Sequence, residues 1–234
     1  MNRRIRLFFL FFGILFLLLW GGFRLFFWVD TLQEKKQVAH NSSIIRLTPE
    51  QLALLEEGDI ILRRGYGFFS DIISQKLNDS IFDVTHSAIL YRENNKWRVI
   101  HSLSSDVSPI DGMQSQSLHD FLRHSMPEKL LVVRPKKITP EQGKEIVSRA
   151  KYYLSLKIPF DHIGTIDEPS KLYCSELIYQ ILDHDLHLVS SKKEKRPSIP
   201  CEHSMTLSTL RLLSIPTQNK KGAPCEVPFF NFKN

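Results

Sequence analysis

Cys174, in the run Lys-Leu-Tyr-Cys-Ser-Glu-Leu-Ile-Tyr-Gln over 171–180, is the residue whose type and setting point most directly to chemistry. Behind it Leu177, Ile178, Ile181 and Leu182 recur at helical spacing, which puts the thiol at or near the first residue of an amphipathic helix. Unpaired N–H groups and a partial positive charge at a helix start favour thiolate over thiol. A cysteine there is placed to act as a nucleophile. A buried core thiol is the alternative that position alone leaves open.

A cysteine nucleophile needs a base within hydrogen-bond reach, and the base needs a polar group to orient its ring. Asp-Val-Thr-His-Ser-Ala-Ile-Leu-Tyr (83–91) sets His86 at the head of a strand-like run. His101 follows fifteen residues later in Val-Ile-His-Ser, on the next strand of an expected hairpin. Cross-strand neighbours bring side chains to about 5 Å on one face, so a suitable register makes His86 the base and His101 its orienter.

The elements that must position these groups are legible in outline. Thr-Pro-Glu-Gln at 48–51 and again at 139–142 are capping boxes with proline at the first helical position. The first opens a short helix ending by Gly58. The second opens a longer one with Ile146, Val147, Ala150, Tyr153 and Leu154 on its apolar face. Strands are expected over 58–64, 86–91, 97–103 and 130–134, with 92–96 as a hairpin loop. Helices are expected over 70–77, 118–123 and 205–213, and loops over 159–170 and 190–200. Helices and clustered strands without strict alternation indicate an α+β domain.

The N-terminus is of another kind. After Arg3, Arg4 and Arg6 the chain is apolar over 7–23, and after Arg24 it is apolar again over 25–29. A bilayer span needs about 20 apolar residues. The exit through Trp20-Gly-Gly-Phe-Arg-Leu-Phe-Phe-Trp is bulky, without the small residues of a signal cleavage site. An uncleaved signal anchor is therefore expected over 1–29, then a polar stalk over 30–48 and one catalytic domain over 49–234. The leading arginines keep the N-terminus cytoplasmic and the domain outside the cytoplasmic membrane, which in a two-membrane cell is the periplasm. The net charge of +6 comes mostly from the four arginines of the first 24 residues, so it gives no reason to expect a nucleic-acid partner. The three cysteines, Cys174, Cys201 and Cys225, leave at least one thiol unpaired in an oxidising compartment.

Taken together, Gly-Asp-Ile-Ile-Leu, Thr-His-Ser-Ala-Ile-Leu-Tyr, Val-Ile-His, Pro-Phe-Asp and Tyr-Cys-Ser-Glu-Leu-Ile-Tyr resemble the permuted NlpC-type papain-like cysteine hydrolases of the YiiX/YebB-like group. The resemblance spans about residues 55–183. It implies a papain-like α+β core with a small antiparallel sheet packed on helices, the histidine preceding the cysteine in the chain. It also implies Cys174 as nucleophile, His86 as base and His101 at a third position where relatives typically carry glutamate. The reaction implied is thiol acyl transfer on an amide, with no cofactor. A peptide or amino-acid amide is the substrate class, peptidoglycan peptide among the candidates. The Cys174 N–H would meet the oxyanion, and Tyr173 is a candidate to assist or to shape the pocket.

Two other readings stay open: a lipid-directed acyltransferase or thioesterase using the same nucleophile, and a catalytically idle binding module. Cys201-Glu202-His203 and His184-Asp185-Leu186-His187 hold metal-ligand residue types but lack the paired spacing of a zinc site, so no metal is expected.

Overall fold

A computed structural model describes residues 3–76, 83–164, 169–189 and 210–213. The expected loop at 190–200, the first half of the expected helix at 205–213, Cys201 and Cys225 lie outside the described residues.

A six-stranded antiparallel sheet organises the domain. Its strands are β1 (Ile60–Arg63), β2 (His86–Glu93), β3 (Lys96–Leu103), β4 (Gly112–Ser117), β5 (Leu130–Pro135) and β6 (Leu210–Leu213), in the spatial order β4-β3-β2-β1-β5-β6. The central strands are apolar at consecutive positions because both faces of the sheet are covered. On one face Ile60, Ile89, Ile100 and Val133 pack against α5 (Pro140–Ser155) and α6 (Cys174–Tyr179) through Ile146, Ala150, Leu177 and Ile178. On the other, Ile61, Ala88, Leu90, Val99 and Val132 pack against Leu118 and Phe121 of α4 (Leu118–Arg123). The fold is therefore the mixed helix and antiparallel-sheet arrangement expected.

Both capping boxes form. Thr48 and Thr139 each accept the N–H three residues on, while Gln51 and Gln142 reach back to the cap N–H at 2.8 and 2.9 Å. The helix opened by Thr48, α2 (Pro49–Ala53), is shorter than expected and gives way to a turn. The β2–β3 hairpin closes on Asn94 and Asn95, both at positive φ (49° and 62°), the conformation a tight primed turn requires and asparagine tolerates.

Two elements differ from the sequence expectation. Residues 210–213 are strand, not the end of a helix, since the free edge of β5 offers them a hydrogen-bonding ladder. β4 is polar (Gly-Met-Gln-Ser-Gln-Ser) and carries no apolar alternation to mark it. Pairing to β3 makes it a strand. At its start Gly112 (φ +88°) lets residues 158–159 pass so closely that a Cβ there would lie 2.2 Å from the Ile158 carbonyl oxygen.

Ahead of the domain, α1 (Arg3–His40) is one continuous helix, long and apolar enough to cross a membrane, with none of its most apolar window buried among the described residues. The segment expected as a stalk belongs to this helix through His40 and is tied to the domain. Val38 and Leu47 are buried, Asp30 accepts the Phe68 N–H, and the Arg46 guanidinium bonds the Ser125 carbonyl at 3.1 Å.

Candidate active site

Cys174 opens α6, and the backbone of Tyr173 before it is extended (φ −88°, ψ 174°), so the thiol sits at the turn into the helix, as its position in the sequence implied. This segment is held from the sheet. Ser102 Oγ donates to the Leu172 carbonyl at 2.5 Å, and the Leu172 N–H donates to the Pro159 carbonyl at 3.1 Å. Glu176, in the first turn, reaches back to accept the Tyr173 N–H at 3.2 Å.

The β2–β3 register pairs Ile89 with Ile100, which on extension sets His101 opposite Ala88, two residues from His86 and on the same face. The two rings meet there, with His86 Nε2 2.8 Å from His101 Nδ1. His101 is fully buried and His86 nearly so. The ring of Phe121 in α4 lies against both, at 5.8 and 5.7 Å between centroids. Since Nε2 of His86 is engaged by His101, its Nδ1 remains for a reaction partner.

Each histidine is followed by a serine, and strand alternation turns that serine to the opposite face, toward the cysteine segment. Ser102 holds Leu172, as described. The Ser87 N–H lies at Cys174 Sγ and favours its thiolate. The Ser87 hydroxyl is buried and has no hydrogen-bond partner among the described residues. His86 and Cys174 thus approach through the neighbouring Ser87 at the first residues of β2. Among the described residues no hydrogen bond joins Sγ to either imidazole.

Arg63 is the feature the sequence reading did not assign. It pairs with His86 in the β1–β2 register, and its guanidinium stacks over Phe121 at 4.8 Å and donates to the His124 carbonyl. It is buried, with no carboxylate within ion-pair distance among the described residues. Its charge is felt by Cys174, His86 and His101. Burial lowers its own pKa to about 10.

These neighbours set the protonation states. Burial first, and the Arg63 cation second, push His86 well below the ordinary histidine range and His101 down to about 3. Burial raises the Cys174 thiol, outweighing the opposite pull of Ser87 and of the N–H groups of Cys174 and Ser175. These directions favour a neutral thiol, at a cysteine that is itself partly exposed, beside neutral imidazoles. This runs against the thiolate that the helix start by itself favours. The helix start does favour thiolate, but desolvation is the larger effect, and a neutral His101 cannot hold an imidazolium as a carboxylate would.

Over residues 54–197 the sequence matches a family of permuted papain-like amidase enzymes, YaeF/YiiX, C92. The chain belongs to this family. A solved structure, metalloprotein yiiX from Escherichia coli O157:H7 (DUF1105), is 22% identical, with a TM-score of 0.46 over 56% of this chain and 66% of that chain. A search of curated proteins returned no match.

In this amidase-family domain, Tyr173 has its N–H committed to Glu176, so any role at an oxyanion falls to its side chain. His184 and His187 do not join the site. His184 Nδ1 lies 3.0 Å from Gln180 Nε2, and His187 Nδ1 bonds the Asp183 carbonyl at 2.8 Å, both within the π-helical turn (Gln180–Asp185) that extends α6 and the residues after it. Among the described residues no three His, Cys, Asp or Glu side chains form a metal-ligand set. Glu176 also went unassigned. It is buried beside the buried Asp161, and desolvation raises its carboxyl to about 7. A glutamate two residues after a helix-opening cysteine was a visible signal for a cap, but its burial was not.

Proposed function

We propose that the protein is a membrane-anchored cysteine amidase that cleaves a peptide or amino-acid amide through an acyl-thioester on Cys174. The observation that carries this is the 2.8 Å His86–His101 bond, at the strand end where Ser87 meets the sulfur. For His86 to act as base at Nδ1, its Nε2 carries a proton and donates it to His101 Nδ1. His101 then keeps its own proton on Nε2.

As Sγ attacks the carbonyl carbon, its proton passes to His86 Nδ1 and the carbonyl electron pair moves to oxygen. The Cys174 N–H at the helix start is the first donor to that oxyanion. His86 returns the proton to the departing amine as the C–N bond breaks. Water, deprotonated by His86, then releases the acid and the thiol. His101 orients the ring throughout and accepts from the transient imidazolium without neutralising it.

Anchoring through α1, with the N-terminus cytoplasmic and the domain outside the cytoplasmic membrane, sets the working substrate class as amides of that compartment, peptidoglycan peptides among them. A lipid-directed acyl transfer is the second reading, favoured by an aromatic-lined cavity at the outer end of the span. The test is release of amine from aminoacyl 4-nitroanilides and from muropeptides by the full chain in detergent. Release by the native chain that is absent with Cys174→Ala supports the proposal. Inertness toward amides, with fatty acyl on Cys174 after incubation with phospholipid, moves the assignment to the second reading.

A further inference from the structure

The helix α3 (Phe68–Lys76) leaves an apolar stripe uncovered at the domain surface. Three of its polar side chains tie it to the domain. Asp71 pairs with the buried Arg64 at 2.5 Å, Ser74 donates to Asp83 at 2.5 Å, and Ser70 lies 3.4 Å from Thr85. Phe68, Phe69 and Ile72 turn outward and are exposed. A soluble surface helix buries its apolar stripe. One that leaves it outward is suited to an interfacial position.

What lies beside that stripe is the end of α1. Phe27 stacks on Phe69 with centroids 5.5 Å apart, and Phe26 meets Phe68 edge-on at 5.0 Å. At about 1.5 Å rise per residue, the apolar stretch 7–29 covers roughly the 30 Å of a hydrocarbon core. Phe26 and Phe27 therefore stand at its outer edge. Asp30, which caps Phe68, is the first acid beyond it. Between the two helices lies a cavity of about 430 Å³ lined by Phe23, Arg24, Phe27, Trp28, Phe69 and Asp106. The loop carrying Asp106 adds exposed Val107 and Ile110.

We infer that α3 and the 104–110 loop sit in the outer boundary of the bilayer. The inference rests on the anchoring reading of α1. The domain is then seated on the membrane, and Ser70 and Thr85 link the seated helix to the residue preceding His86.

Spin labels test this in the full chain reconstituted into phosphatidylcholine–phosphatidylglycerol nanodiscs. The background is Cys174→Ser, Cys201→Ser, Cys225→Ser, with Ile72→Cys or Val107→Cys as reporters. Leu18→Cys in the span and Tyr152→Cys on the exposed side of α5 are the references. The inference expects oxygen accessibility at 72 and 107 approaching that at 18, with accessibility to a water-soluble nickel chelate severalfold lower than at 152. Two results overturn it and leave the anchor intact, given a lipid-exposed Leu18 label. One is nickel accessibility at 72 and 107 equal to that at 152. The other is low accessibility to both reagents, which would mean that protein covers the face. A water-exposed label at 18 removes the anchor and the inference together.

Discussion

At the scale of residues, the site is governed by a buried cation and a missing carboxylate. Desolvation, and the Arg63 cation after it, hold both imidazoles neutral, and a neutral His101 occupies the place where a carboxylate would favour His86 in its charged form. Iodoacetamide alkylation of Cys174 should therefore show no pH-independent shoulder between about pH 5 and 8, and should titrate no lower than the ordinary thiol value of about 8.5. His86→Ala should leave that curve in place. The same physics places the acid limb of kcat/KM below the ordinary histidine pKa of about 6.5, because His86 protonates only in more acidic solution. Arg63→Gln removes the repulsion that opposes the imidazolium. His86 becomes more basic, and the acid limb should move to higher pH. A pH–rate profile of that variant against the native chain measures the shift.

At the scale of elements, the positioning of Cys174 depends on how α6 begins. Glu176 caps the Tyr173 N–H from a buried site next to Asp161, and its carboxyl is raised to about 7. The folded chain keeps this proton where the unfolded chain, with a glutamate near 4.3, has released it. The contribution to stability is complete below about pH 4 and is lost as pH rises through about 7. Chemical denaturation of the native chain and of Glu176→Gln at pH 5 and pH 8 should therefore show the native chain losing stability relative to the variant at the higher pH. Much of this level was legible in the sequence. The two Thr-Pro-Glu-Gln boxes, the hairpin at Asn94-Asn95 and the cysteine helix follow from short-range rules of capping, turn conformation and apolar period. β4 and β6 did not, because strand identity there comes from a partner's free edge and not from local pattern. His86 and His101 could be paired by hairpin register, whereas Arg63 joins them across a β1–β2 contact that only the folded sheet creates. Protonation was legible least of all. A helix start can be read from residues, but the desolvation that outweighs it is a property of the packed interior.

At the scale of the whole molecule, α1 meets the domain near its outer end, where Asp30 accepts the Phe68 N–H and Phe26 and Phe27 meet the rings of α3. The proposed orientation, with Arg3, Arg4 and Arg6 on the cytoplasmic side, predicts that a membrane-impermeant maleimide applied to intact spheroplasts modifies Tyr152→Cys from outside. Protection of that cysteine until the cells are lysed would reverse the orientation. The central claim is the Cys174 acyl-thioester formed with His86 as base. Intact-mass measurement of the full chain after brief exposure to an N-acetyl-aminoacyl 4-nitroanilide at neutral pH tests it most directly. The account predicts one acyl adduct, located on Cys174 and absent in Cys174→Ala, with acylation slowed about 10²-fold or more in His86→Ala. An adduct elsewhere in the chain, or His86→Ala acylated at the native rate, would contradict it.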